Sequence, residues 1–398
     1  MPEGIDNDMR IVNICMGAPF TEGYTYQDNL LPEYQHKIGH DVTIITSILQ
    51  RGQNGKVEKG NIENRILNNG VRLIRIKTGN KIRRIAGVYP DICNILDDLR
   101  PDLIYVHGLA SHIPAYAIQY KKKHTNVHLI ADNHQDEGTT YTDKFPFNFL
   151  IKYFKLRWRL WIKYFDKIYG VTSWRVRFAH ELYGIPESKL DTLIMGIDED
   201  KIPSDKLAVR KQIRQELQIT DGTFVFITGG KLDHHKKTLE TLRAFSELKQ
   251  DNVRLLVFGT PLMDIKEEFN RLVKADKRII NLGYVDSKFI HRYFLASDFG
   301  LFPGRHSVLW EEAIGCGLPC LFKQYEEHDH TDVNGNCIRM ENFTENDIYV
   351  IMMHLLSDYP YYQKMKKAAV DAAPLFSYRA IAEKSLECVI DNVGFCKE

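Results

Sequence analysis

Long apolar runs are missing from this chain: no uncharged window in its 398 residues could span a bilayer. The opening stretch, Met1 to Arg10, is polar and lacks the apolar core of a secretory signal. Cysteine is sparse and unpaired in pattern. The seven residues (Cys15, Cys93, Cys316, Cys320, Cys337, Cys388 and Cys396) are odd in number and show neither a disulfide framework nor a paired zinc spacing. Reduced thiols, a cytoplasmic location and no resident metal are therefore expected. Charge of one sign is missing too: the net charge of +1 gives no global field to attract nucleic acid or acidic partners. No Gly-x-Gly-x-x-Gly follows the first strand, which argues against a nicotinamide dinucleotide site. Repeats beyond two similar halves, and low-complexity segments, are absent.

What remains is 44% hydrophobic and 26% charged, the balance of a soluble globular protein long enough for two domains. Short apolar strands recur. In the first half they are Arg10 to Cys15, Asp41 to Thr46, Val71 to Ile76, Asp102 to His107, Val127 to Ala131 and Asp166 to Thr172. Helical segments stand between several of them, giving βαβ units and a doubly wound α/β fold. Residues 51–70 are polar and turn-rich, as in a long loop, and 201–221 resemble a connection between domains. The alternation restarts with Thr223 to Thr228, Val253 to Phe258, Ile279 to Val285 and Phe299 to Phe302.

The segment Leu301 to Cys320, LFPGRHSVLWEEAIGCGLPC, is the most informative. A strand ends in Pro303-Gly304, a helix is expected to open at His306-Ser307, and Gly317-Leu318-Pro319 stops it. Free amides and the dipole at a helix N-terminus can hold a phosphate. Glu311 and Glu312 lie in the first turns, where a carboxylate can accept hydrogen bonds from vicinal sugar hydroxyls. Amides for a pyrophosphate beside a glutamate for a ribose describe a nucleotide-sugar site.

Glu312-Ala313 and Gly317-x-Pro319 resemble the donor-site signature of retaining GT-B glycosyltransferases of family 4 (glycosyltransferase group 1). Eight residues before Glu312 that signature has a glutamate, where this chain has Gly304. The form Pro-Gly-x-His-Ser-x-x-Trp-Glu is more similar to a subgroup of bacterial surface-polysaccharide enzymes. The family also writes Gly-Arg-Leu, three residues, Lys-Gly after the first strand of its second domain. Here Gly230-Lys231-Leu232 and Lys236-Lys237 fall in that register.

The resemblance implies a GT-B fold, two Rossmann-like doubly wound domains facing a central cleft. Residues 1–198 would bind the acceptor and 199–376 the nucleotide-sugar donor, with a last helix, 377–398, crossing back to the first domain. It implies that Lys231 and Lys236 neutralise the departing diphosphate, aided by Gly17, Gly230 and the amides near Val308 and Leu309. Glu312 would hold the ribose, Tyr284 and Val285 would contact the base, and His306 or Ser307 would take over sugar contacts of the missing glutamate. His134 would position the transferring sugar, and Tyr24, Tyr26 and Asp136 would border the acceptor. The implied reaction is metal-independent and cofactor-free, with a nucleotide diphosphate-sugar as co-substrate. It would transfer a hexosyl-type sugar with retention to a glycan or polyprenyl-diphosphate-linked acceptor, in assembly of capsule, O-antigen or exopolysaccharide. A nucleotide-sugar epimerase, or a non-catalytic sugar-binding or membrane-surface module, are the alternatives.

Residues 144–165 have the most unusual composition, with Phe147, Leu150, Ile151, Phe154, Trp158, Trp161, Ile162 and Phe165 at helical spacing among Lys152, Lys155, Arg159 and Lys163. Two readings stand side by side. One is an interfacial helix on the inner face of the membrane, with Lys121 to Lys123 and Lys81 to Arg84 as further basic surface. The other is a core helix with snorkelling cations. The run Glu326 to Asp332 reads as a polar loop, not a metal site, and His234-His235 as solvent-facing.

Overall fold

The computed structural model describes residues 8–52, 56–79, 88–89, 91–136, 147–325 and 329–394. Residues 1–7, the basic Lys81 to Arg84, the start of the aromatic stretch at 144–146 and Glu326 to His328 lie outside the described residues. The chain divides into two compact units, Met1–Ile194 with Tyr378–Glu398, and Met195–Ser377.

The first unit begins with β1 (Arg10–Cys15), α1 (Gln27–Lys37) and β2 (Asp41–Ser47), followed by β3 (Leu49–Arg51), β4 (Val57–Lys59), β5 (Glu63–Ile66) and β6 (Arg72–Ile76). Next come α2 (Asp91–Leu99), β7 (Leu103–His107), α3 (Ile113–Lys123), β8 (His128–Asn133), α4 (Phe147–Trp161), β9 (Lys167–Gly170), α5 (Ser173–Tyr183) and β10 (Leu190–Thr192). Eight strands form one sheet in the order β10-β9-β8-β7-β1-β2-β6-β5, and only β5 runs antiparallel to its neighbour. Central strands such as β7 are buried along their whole length, which is why they read as unbroken apolar runs. Residues 51–70 differ from the expected loop: β3 and β4 pair as a small antiparallel ribbon and β5 edges the main sheet. Val57–Lys59 and Arg65–Ile66 are exposed, so these strands carry no apolar alternation to betray them.

In the second unit, α6 (Lys206–Glu216) precedes β11 (Phe224–Gly229), α7 (Thr238–Ser246), β12 (Val253–Phe258), α8 (Lys266–Ala275) and β13 (Ile279–Gly283). Then follow α9 (Ile290–Ala296), β14 (Phe299–Phe302), α10 (Leu309–Gly315), β15 (Cys320–Lys323), β16 (Cys337–Met340), α11 (Glu345–Ser357) and α12 (Tyr359–Ala372). The sheet is wholly parallel in the order β13-β12-β11-β14-β15-β16. Its order reverses at β11 and β14, so the loops after these strands sit at the switch point where open α/β sheets bind ligands. Residues 201–221 belong to this unit and are not a free connection. Arg214 on α6 is buried and reaches Asp298 just before β14, at 2.7 Å, while Arg210 meets the other oxygen of that carboxylate at 2.5 Å. The arginines made the segment look solvated, whereas they are spent on a buried ion pair.

The closing helix α13 (Tyr378–Gly394) packs in the first unit: Tyr378 stacks on Tyr34 of α1, and Ser385 accepts from Gln35. In α4, Ile151, Phe154, Trp158 and Trp161 are buried in the core of the first unit, and Trp158 donates to Leu109 O at 2.9 Å. The tryptophans are thus core residues. The opposite face still exposes Phe149, Leu156 and Leu160, with Lys152 and Arg159 among them. Among the described residues no helix is long and apolar enough to cross a membrane.

Candidate functional site

Four buried residues, Phe-Gly-Leu-Phe, make β14, and Pro303-Gly304 ends it. Gly304 lies hard against the loop after β11. A Cβ there would come within 2.4 Å of His235 O and of the Lys236 backbone, and Arg305 N donates to His235 O at 2.9 Å. Gly230 opens the opposing loop with φ +111, a conformation suited to glycine, and faces the Leu309 side chain. These two glycines let the loops interlock.

The interlock brings Lys236 to the turn after β14. Its Nζ donates to Arg305 O at 2.5 Å and to Ser307 Oγ at 3.0 Å. Asp233 caps the short helical turn His234–Lys236 by accepting from Lys236 N at 3.1 Å, which aims the lysine. Lys237, where the family writes glycine, sits at φ 58 in the left-handed region. Burial lowers the Lys236 ammonium to about 8, with Arg305 lowering it further and Asp233 opposing. Lys231 stands exposed at the head of the same loop.

The helix after the turn starts later than expected, at Leu309 instead of His306-Ser307, and has only seven residues. A helix this short has a weak dipole, so the positive potential of this turn comes from the lysines more than from the helix. The amides of Ser307, Val308 and Leu309 find no acceptor among the described residues. Glu312 lies behind them. Burial, then the neighbouring Glu311, pushes its carboxyl up to about 8, and its buried Oε2 has no hydrogen-bond partner among the described residues. That oxygen can accept from a sugar hydroxyl. Tyr284 follows β13, largely exposed, and Val285 is half-buried beside it.

His306 differs from the expected sugar contact. Its Nε2 turns onto Glu311 at 2.8 Å, and His330 Nε2 meets the same oxygen at 3.0 Å. Glu311 is fully buried and its carboxyl is held below the usual range, burial being outweighed by the two imidazoles. Neither Glu311 nor His330 was legible as a partner of His306, because the three come from a turn, a helix and the loop after β15.

In the first unit a second buried acid orders another histidine pair. Asp132, at the end of β8, has Oδ2 2.8 Å from His107 Nδ1 and Oδ1 3.3 Å from His134 Nε2. Gly108 N also donates to Oδ1, at 3.1 Å. Burial lowers the His134 pKa, Asp132 raises it, and the net is upward. His134 keeps 37% of its side chain exposed beside this buried carboxylate. Asp132 and His107 escaped sequence reasoning, although a polar residue closing an apolar strand was the available signal. Asp136 is committed to Arg175 at 3.1 Å. Tyr24 and Tyr26 form an edge-on pair, centroids 5.4 Å apart. A Cβ at Gly17 would make only ordinary contact with His107 O, 3.8 Å away, so its backbone does not demand glycine.

Residues 30–201 match the family model described as Glycosyltransferase Family 4. No curated protein matches the chain. Among solved structures it is similar to a glycosyltransferase from Rickettsia africae, at 16% identity and TM-score 0.67, covering 96% of this chain and 97% of that one. Anabaena Alr3699/HepE, in complex with UDP, gives 12% identity and TM-score 0.67 over 96% and 100% of the chains. The UDP-GlcNAc 2-epimerase of Neisseria meningitidis bound to UDP-GlcNAc gives 15% and 0.61 over 96% and 100%. These likenesses, with the two parallel-sheet units, establish the GT-B fold.

Proposed function

We propose that this chain is a glycosyltransferase that moves a sugar from a nucleotide diphosphate-sugar to a glycan or polyprenyl-diphosphate-linked acceptor, with retention at the anomeric carbon. The observation that carries the proposal is the convergence of Lys236 with the amides of Ser307 to Leu309, which are unpaired among the described residues, followed by Glu312, whose Oε2 has no partner among them. The amides and Lys236, with Lys231 at the loop head, bind the diphosphate and take up the negative charge that develops as the bond to the anomeric carbon breaks. Glu312 accepts from the ribose hydroxyls, and Tyr284 and Val285 flank the base. In the first unit, His134 is fixed by Asp132 to orient the transferring sugar, and Tyr24, Tyr26 and Asp136 serve the acceptor.

UDP is the first nucleotide to test, since two structural neighbours hold UDP or a UDP-sugar. The cations serve where a metal serves elsewhere, so transfer needs none. Assembly of a bacterial surface polysaccharide is the proposed setting. Peripheral contact with the inner membrane would run through Phe149, Leu156, Leu160 and the cations between them, which supports a lipid-linked acceptor.

The test is a thermal-shift screen with UDP, GDP, ADP, CMP and their sugar conjugates, followed by turnover on the best donor. A rise in Tm with one nucleotide, lost in Glu312→Ala, supports the donor site. Absence of any shift at millimolar ligand would refute it. Incubating UDP-GlcNAc without acceptor separates the readings: an epimerase would change the sugar, a transferase would not.

A further inference from the structure

Two buried carboxylates in this protein each face two histidines, yet they are served differently. Asp132 spreads its imidazoles, one beside each oxygen, at ion-pair distance and not in hydrogen-bonding geometry. Glu311 does not. His306 Nε2 and His330 Nε2 converge on Oε1, at 2.8 and 3.0 Å, and the buried Oε2 has no hydrogen-bond donor among the described residues. A pair of N–H donors alone would be served better by two oxygens, because leaving a buried carboxylate oxygen without a partner is costly. Three ligand atoms around one cation would converge in this way, and the second oxygen could then complete a bidentate carboxylate.

We propose that His306, Glu311 and His330 form a site for a divalent transition-metal ion of the zinc class. An ion about 2.0–2.2 Å from each ligand, at tetrahedral to right angles, holds ligand atoms about 2.8–3.6 Å apart. The distances from Oε1 to the imidazoles stand at the near edge of that range, and all three ligand atoms lie within 4.8 Å of one another. Two imidazoles and one carboxylate select zinc, cobalt or nickel over magnesium or calcium, which prefer oxygen. The surroundings hold the ligands in place. The His306 ring meets Trp310 edge-on at 4.9 Å, and buried Trp310 stacks on Phe322 at 4.5 Å. His330 sits on the short turn Asp329–Thr331 after β15.

The ion would be structural. It would tie that turn to α10 and to the residue between Arg305 and Ser307, both of which Lys236 contacts. It is not asked to meet the diphosphate, which stays with the lysines, so the site stands whether or not the proposed transfer does.

The test uses the full chain, tag removed, stripped with chelator and titrated with zinc chloride, reading metal content after gel filtration together with Tm. The expected result is about one zinc per chain and a rise in Tm. Glu311→Gln and His330→Ala should weaken binding about a hundredfold or more, whereas His134→Ala and His234→Ala should bind like wild type. Cobalt loading of the wild type supplies a measurement independent of any variant: visible d–d bands that zinc abolishes. Uptake below about a tenth of an equivalent at micromolar zinc would overturn the proposal. So would wild-type affinity in a folded His330→Ala, or loss confined to His134→Ala.

Discussion

Lys236 carries a prediction whose size follows from its surroundings. Its ammonium is depressed to about 8 by burial, and a bound diphosphate would stabilise the charged form again. If only the protonated lysine binds, affinity tracks the protonated fraction of the free protein. That fraction is about three quarters at pH 7.5 and about 3% at pH 9.5, so affinity for a nucleoside diphosphate should fall about 25-fold, or about 1.9 kcal/mol. Both phosphates of the ligand are ionised throughout the range, so the ligand adds no slope. Glu312 does add one, because its carboxyl also titrates near 8. The series is therefore run in Glu312→Gln as well as in wild type.

Calorimetry in buffers of different ionisation enthalpy should show uptake of about half a proton on binding at pH 8. The free protein should respond in the opposite sense. Because the folded pKa lies below the unfolded one, the unfolded chain binds more protons between about 8 and 10.5. The contribution of Lys236 to stability therefore rises with pH across that window while affinity falls. A flat affinity from pH 7.5 to 9.5 in Glu312→Gln, or an unchanged slope in Lys236→Met, would refute the reasoning.

Other consequences are quicker to test. Gly304→Ala puts a methyl 2.4 Å from the His235 and Lys236 backbone, so chemical denaturation should show a loss of about 2–3 kcal/mol and weakened nucleotide binding. Asp298→Ala leaves Arg214 buried without its carboxylate and should cost about 3–5 kcal/mol by urea unfolding. Lys237→Gly relieves a left-handed backbone at φ 58 and should gain about 0.5–1 kcal/mol net of its ion pair with Glu240. In Asp132→Asn the His134 pKa, followed by NMR, should drop, because burial still lowers it and the carboxylate no longer raises it.

The strands, the glycine turns and the position of Lys236 in its loop were legible because each is local: an apolar run, a glycine, a cation at fixed spacing; that the two loops interlock was not. The edge strands of residues 57–66 were not, since exposure on both faces removes the period-two signal. The role of 201–221 was hidden for a different reason. Arg210 and Arg214 find their carboxylate more than eighty residues away, and a basic helix looks the same in sequence whether its charges meet water or Asp298.

The two buried acids show where a better reading could begin. Asp132 closes the apolar run of β8, and Glu311 lies between Trp310 and Ala313 on the inward face of α10. A carboxylate at such a position has zero exposure by virtue of its neighbours alone, and burying its charge is prohibitive unless cations or strong donors are brought to it. The pattern thus requires partners even though it cannot say which. In both cases the partners are histidines supplied by the carboxyl ends of parallel strands or the loops beyond them, the edge at which this fold gathers its ligand-facing residues. An inward acid at that edge is therefore a stronger mark of a built site than an outward one. By that criterion Glu311 is a better guide than the run Glu326 to Asp332, which reads in sequence as a polar loop although it supplies His330.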